Sequence, residues 1–256
     1  MNTEISAGGP SATSAAPGSV AAGGAAPPVC IVTGAGRGIG LAVARRFAAR
    51  GAGVVIVARS ETELQAAQRE LEALGGRVVA VPADLADRGV AAAIVETALQ
   101  RFGRIDVLVN NAGRVASAAA DALSDDEFDA LIAINCGAML RLVRSAWPVF
   151  RQQGGGVIVN VSSVASTDPF PGLGVYGATK AWVNTYTRAL ADEGRRSNIR
   201  AFAVAPAAVE TVMLRSIAPD LPSRQCLQPD DVAAVIESVT DPSWTPCSGQ
   251  TIFVRK

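Results

Sequence analysis

From Pro28 onward, short β-branched runs alternate with longer amphipathic segments, and this alternation limits the possible folds more than any other feature of the chain. Strands are read at 29–33, 54–57, 78–81, 105–109, 157–161, 200–205 and 251–254. Between them lie helical patterns. One runs through Leu41, Val43, Ala44 and Phe47. A second covers 61–74, carrying Leu64, Leu71 and Leu74, and stops at Gly75-Gly76. A third is capped by Asp87 and ends at Phe102-Gly103. A fourth opens on the capping-box spacing of Ser124 and Glu127 and continues to about Phe150. Two more cover 176–193 and the stretch from Pro229. Strands that are apolar throughout are buried on both faces, which demands helices above and below a parallel sheet. The expected fold is α/β: a three-layer αβα sandwich, a doubly wound, Rossmann-like parallel sheet in a single domain over 27–256. Residues 1–26, mostly Ala, Gly, Ser, Thr and Pro, read as a disordered tail without the features of a targeting peptide.

Several chemistries are excluded at once. The chain has no histidine, so Ser-His-Asp catalysis, Cys-His catalysis and nearly all zinc sites are ruled out, and no metal is expected. Lys plus Arg and Asp plus Glu are equal at 23 each, with no block of like charge, so neither nucleic acid nor an anionic membrane is an expected partner. No apolar run approaches the ~20 residues of a bilayer span. Four cysteines without CxxC spacing suit a reduced, cytoplasmic protein.

A glycine-rich turn, Thr33-Gly34-Ala35-Gly36-Arg37-Gly38-Ile39-Gly40, joins the first strand to the first helix. Glycines there allow a tight turn and close approach to a pyrophosphate, whose charge the helix N-terminus stabilises. The spacing is G-x-x-x-G-x-G through Gly34, Gly38 and Gly40, since Ile39 stands where the commoner fingerprint has its third glycine. This segment resembles the cofactor turn of the short-chain dehydrogenase/reductase family, and 3-oxoacyl-thioester reductases are the best-populated resemblance. Asn110-Asn111-Ala112-Gly113 resembles the family's NNAG motif, and Asp84-Leu85 its acidic contact to the adenine ring. The resemblance covers essentially all of 29–254 and implies cofactor contacts at Gly34, Arg37, Gly38, Ile39, Gly40, Arg59, Asp84, Leu85, Asn111, Ala112 and Gly113.

Charge indicates which dinucleotide is held. An NAD site has a carboxylate at the end of the second strand, whereas this chain has Ala58-Arg59-Ser60 there. The guanidinium fork suits a 2′-phosphate. Arg37 adds a second positive charge, and Glu61 is assigned to the first turn of the next helix. NADP(H) is therefore expected, with NAD(H) the lesser alternative.

Tyr176 and Lys180 are spaced to share one helix face, where an ammonium would lower the phenol's pKa and fit it for acid–base work. The family resemblance implies the rest. Ser163 matches the substrate-binding serine, with Ser162 the fallback, and Asn135 the position that interrupts a helix and holds a water leading to the lysine. Tyr176 and Lys180 also belong to the cofactor set, Lys180 holding the nicotinamide ribose. Pro206, Val209 and Thr211 match the stretch that supports the carboxamide. The implied activity is hydride exchange with a small-molecule ketone, aldehyde or secondary alcohol by a homodimer or homotetramer. The subunits would meet through the helices that begin near Ser124 and Tyr176.

The chain departs from the family pattern at Phe202 and Ala207, where asparagine and glycine are usual. It departs again in the short stretch between Thr211 and Pro229, and at Arg255-Lys256 in place of a glycine pair. Two other functions compete: a cofactor-binding sensor or scaffold subunit without turnover, and epimerisation or dehydration on the same fold. Residues 165–175 and the loop after Gly113 are expected to line the pocket, with Phe170, Leu173 and Val175 hinting at a hydrophobic substrate.

Overall fold

The strands are apolar at successive positions because each one feeds two cores. In a computed structural model that describes residues 27–256, Cys30 and Val32 of β1 (Val29–Thr33) join one buried cluster and Ile31 the other. In β2 (Gly53–Ala58), Val54 and Ile56 divide from Val55 and Val57 in the same way. Side chains on a strand alternate between faces, so a run without polar residues is what a doubly covered sheet requires. The expected tail at 1–26 lies outside the described residues.

The remaining strands are β3 (Arg77–Pro82), β4 (Val107–Asn110), β5 (Gly156–Val161), β6 (Ile199–Pro206) and β7 (Thr251–Val254). All neighbours pair in parallel, in the order β3-β2-β1-β4-β5-β6-β7. The order reverses direction between β1 and β4. That switch point opens a crevice beyond the C-terminal ends of the strands, where open α/β sheets bind ligands.

Helices α1 (Gly38–Ala49), α2 (Glu61–Ala73) and α8 (Pro229–Ser238) cover one face through Val43, Phe47, Leu64, Leu71, Val232 and Ile236. The other face is covered by α3 (Val90–Phe102), α5 (Met139–Gln153) and α6 (Gly174–Gly194), through Ile94, Leu142, Phe150, Val183 and Leu190. A short helix, α7 (Val212–Ile217), follows β6. The Ser60 hydroxyl caps α2 by accepting from the Glu63 N–H at 3.2 Å. Ser124 caps α4 (Asp125–Ile132) through the Glu127 N–H.

One expectation needs correction. Asp87 does not cap α3; its carboxylate accepts from Gly89 N–H at 2.8 Å in a turn, and the helix begins later, at Val90. The long helix from Ser124 is interrupted at Asn135, as the resemblance implied, and the interruption is a π-helical turn, Ala133–Ala138, between α4 and α5. Ala207, where the family pattern has glycine, needs no positive φ: Asn198 is the only non-glycine with positive φ among the described residues, and Ala207 N–H bonds Val254 O at 2.9 Å. Phe202 is fully buried and meets Trp244 edge-on, with ring centroids 6.5 Å apart. An asparagine there would need buried hydrogen-bond partners that this core does not offer.

The helical stretch 125–153 has the length and mean hydropathy of a bilayer span. Leu131, Leu142 and Phe150 nevertheless bury its inner side in the core. On the opposite face, Arg46 and Arg50 of α1 and its C-terminus both pair with the buried carboxylate of Glu237 on α8, at 2.6 and 2.5 Å. That pair ties the helix carrying the glycine turn to the last helix of the chain.

Candidate active site

The loops that leave β1, β4, β5 and β6 all emerge at one edge of the sheet, and every expected site residue on them lies there. The glycine turn is shaped by close packing. Gly34 and Gly38 have φ of +64° and +58°, a region that favours glycine. A Cβ on Gly40 would lie 2.3 Å from Gly34 O. The turn therefore folds tightly over the start of α1, whose first N–H groups face the crevice. Such a cradle fits a dinucleotide pyrophosphate, because its glycines let the backbone fold tightly with no side chain between it and an anion at the helix N-terminus.

Thr33 and Asn111 fasten the switch point. The Thr33 hydroxyl accepts from the N–H groups of both Asn111 and Ala112, each at 3.0 Å. In return the Asn111 amide donates to Thr33 O at 2.8 Å. Thr33 was not singled out in the sequence, since a threonine ending a strand carries no signal of its own. Farther along the crevice, the Leu85 side chain is buried and its carbonyl accepts from Arg141 at 2.8 Å. The Asp84 carboxylate accepts from Ala86 N–H at 3.0 Å.

The π-turn explains the mid-helix asparagine. An extra residue in the turn rotates Asn135 inward, where it is buried and fully used. Its amide donates to Arg114 O at 2.9 Å and to the Thr179 hydroxyl at 3.0 Å, and its oxygen accepts from Arg114 N–H at 2.8 Å. Thr179 in turn donates to Tyr176 O at 2.7 Å. Asn135 thus connects the loop after β4 to the turn of α6 that bears Tyr176 and Lys180. Asn135→Ala breaks three hydrogen bonds in a buried setting. It is expected to lower stability by about 1–3 kcal/mol, read by chemical denaturation.

Gly113 supplies the gap beside it. A Cβ at Gly113 would sit 3.5 Å from Asn135 Oδ1 and 3.6 Å from Lys180 Nζ, so the missing side chain leaves room between amide and ammonium. Lys180 is buried, donates to Val161 O at 2.8 Å, and lies 5.7 Å from the centroid of the Tyr176 ring. Burial lowers its pKa to about 8, opposed by the nearby Cys136 thiol. The ammonium form still predominates at neutral pH.

Tyr176 behaves differently from the expectation. Burial raises its pKa, and the neighbouring Ser163 hydroxyl opposes this. Lys180 does not carry the phenol below its ordinary value, because the lysine Nζ lies beside the ring and is spent on Val161 O. Of the two candidate serines, Ser162 is buried and donates to Lys180 O at 3.1 Å, facing away from the phenol. Ser163 is the one beside Tyr176, and its hydroxyl also accepts from Ala165 N–H at 3.2 Å.

The remaining expected residues close the opposite wall. Pro206 ends β6 against Val254, and buried Val209 bridges to Leu227. Thr211 caps α7 and lies against the glycine turn, with its methyl 3.3 Å from a Cβ built on Gly38. The short segment that follows is held by Arg215, which pairs with Glu210 and donates to the carbonyls of Pro219 (3.1 Å) and Leu221 (2.6 Å). At the outer end of the crevice Arg59 is exposed and has no ion-pair partner among the described residues. Arg37 is not free: it meets Glu63 at 2.8 Å, a contact the sequence reading missed by attending to Glu61. No cluster of metal-ligating side chains occurs among the described residues.

Comparison with known proteins agrees with this geometry. Residues 28–222 match the family described as short chain dehydrogenase. The chain is 35% identical over 234 residues to the 3-oxoacyl-(acyl-carrier-protein) reductase FabG of Thermotoga maritima, covering 88% of this chain and 95% of that protein. It is 41% identical over 189 residues to 2-(R)-hydroxypropyl-CoM dehydrogenase of Xanthobacter autotrophicus, covering 72% and 76%. A crystal structure of 3-ketoacyl-(acyl-carrier-protein) reductase from Brucella melitensis complexed with NADH superposes with a TM-score of 0.83. It is 35% identical and covers 89% of this chain and 96% of that one.

Proposed function

The chain belongs to the short-chain dehydrogenase family, and on that premise we propose that it is an NADP(H)-dependent oxidoreductase acting on a ketone, aldehyde or secondary alcohol. The observation that carries this reading is the Tyr176 phenol, set beside the Ser163 hydroxyl and backed by the buried ammonium of Lys180. The bound nicotinamide supplies or accepts the hydride. Tyr176 moves the proton at the substrate oxygen, and the Ser163 hydroxyl steadies the charge that develops there. Lys180 holds its positive charge beside the phenol and would bind the nicotinamide ribose when the cofactor is present. Asn135 and the space at Gly113 give protons a path inward to that lysine. With the cofactor bound, Thr211 and Val209 would hold the carboxamide, and Asp84 and Leu85 would meet the adenine. A phenol with a raised pKa stays protonated at neutral pH, which suits it to donate during carbonyl reduction.

The non-catalytic alternative has no observation in its favour, since all four groups of the catalytic set converge. Phe170, in the loop that leads into the Tyr176 helix, is 62% exposed, and Val212 at the start of α7 is 60% exposed. The loop after Gly113 meets the 165–175 loop through the bond from Ala118 N–H to Gly172 O at 3.0 Å. An apolar substrate fits this rim. Exposed Phe128, Ile132 and Leu140 along α4 and α5 suit the expected dimer or tetramer. Four free cysteines suit the cytoplasm.

The direct test is oxidation of NADPH and of NADH over a panel of ketones, aldehydes and 3-oxoacyl thioesters. NADP preference has its own check. Arg59→Asp is expected to weaken NADPH by about 10–100-fold relative to NADH, the loss of a charge-assisted contact. An unchanged ratio of KM values would contradict the assignment.

A further inference from the structure

We infer that Glu63 sets the cofactor preference of this enzyme by competing with the 2′-phosphate for Arg37. The inference rests on the NADP reading above and concerns a residue outside the expected cofactor set. Ser60 caps α2 through the Glu63 N–H, which fixes Glu63 in the first helical turn. Its carboxylate then reaches across to Arg37 Nη1 at 2.8 Å. The approach is possible because the glycine turn has no side chain at Gly36, where a Cβ would lie 3.1 Å from both Glu63 Cβ and Glu63 Oε2.

Lacing α1 to α2 does not require this pair. Arg45 already binds Glu70 between the same helices, with Nη2 to Oε2 at 3.0 Å. The Arg37–Glu63 contact also stands apart by location, since it lies on the glycine turn itself. Glu61, the other carboxylate of that helical turn, accepts from Gln65 at 3.2 Å and leaves the arginines alone.

The consequence is a balanced charge set. Arg37 and Arg59 would both serve a 2′-phosphate, and Glu63 occupies one of them. Arg37 is 60% exposed and Glu63 36% exposed, so the contact is hydrated and breaks at small cost. NADPH binding therefore exchanges one partner of Arg37 for another, whereas NADH leaves the pair intact. Discrimination between the two is held down, and both cofactors remain usable.

Glu63→Gln keeps the shape and removes the charge. It is expected to raise the NADPH:NADH ratio of kcat/KM by about three- to tenfold. In an Arg37→Met background the same substitution is expected to change the ratio by less than about twofold, because the competition it relieves no longer exists. Equal shifts in both backgrounds would overturn the inference, since Glu63 would then act by direct repulsion. So would an unchanged ratio in Glu63→Gln beside a lowered ratio in Arg37→Met, an outcome that leaves the NADP reading intact. If neither Arg37→Met nor Arg59→Asp lowers the ratio, the NADP reading itself fails, and this inference falls with it. Direct titration of NADPH and NADH by nicotinamide fluorescence gives the same comparison without turnover.

Discussion

Tyr176→Phe is expected to reduce kcat by about 10²–10⁴-fold, the usual contribution of a positioned general acid or base. Cofactor affinity should stay within about threefold of the native protein, a shift below 1 kcal/mol. The substitution removes one oxygen and keeps the ring that lies 5.7 Å from Lys180 Nζ. Asn135 and Thr179 keep their hydrogen bonds, because Thr179 uses the backbone carbonyl of residue 176 and not its hydroxyl. The glycine turn is untouched. Single-turnover hydride transfer, measured beside a fluorescence titration of NADPH, separates the two effects. A variant that binds cofactor normally and turns over at a tenth of the native rate or better would remove Tyr176 from the proton-transfer role.

The second large effect concerns stability. Burial lowers the Lys180 pKa from 10.5 to about 8 in the cofactor-free protein. Between those two values the unfolded chain binds a proton at this site and the folded chain does not. Stability therefore rises with pH across that window, and below about pH 8 the burden of burying an ammonium is fully present. The sign is the reverse of the usual carboxylate case. Relative to Lys180→Met, the native protein should gain about 3 kcal/mol between pH 7 and pH 10.5, following from ~1.4 kcal/mol per pKa unit. Comparing the two proteins cancels the other titrating groups and the lost bond to Val161 O. Urea denaturation at pH 7, 9 and 10.5 reads the difference. Parallel pH dependences would show that Lys180 does not sit buried and charged. The expected gain would show that this position serves catalysis at the expense of the empty protein's stability.

The sheet was legible because parallel strands covered on both sides must be apolar at every position, and the chain spells this out in runs such as Val54-Val55-Ile56-Val57. Ends were less legible, for local reasons. Asp87 has the residue type of a helix cap but spends its carboxylate on a turn that precedes the helix. The π-turn at Ala133–Ala138 was expected only as a local interruption at Asn135; a helical pattern of apolar residues does not register one inserted residue. In the site, Ser163 and Ser162 are equivalent by type. Only the direction of the chain after β5 separates the one that meets the phenol from the one that meets Lys180 O. Glu63 was invisible for a different reason, since its partner lies across a helix–helix gap that no sequence spacing encodes. The direction of the Tyr176 shift was misjudged because an i,i+4 lysine implies a nearby charge but not burial of the phenol.

The double bond of Arg46 and Arg50 to Glu237 bears on how such a chain is made. Arg46 and Glu237 are separated by 191 positions. A nascent chain can have β1, the glycine turn and α1 outside the ribosome while the carboxylate that fastens α1 is not yet translated. The glycine turn is thus fastened by a segment made long after it, and products truncated before Glu237 contain every glycine of the turn but lack the clasp that holds it.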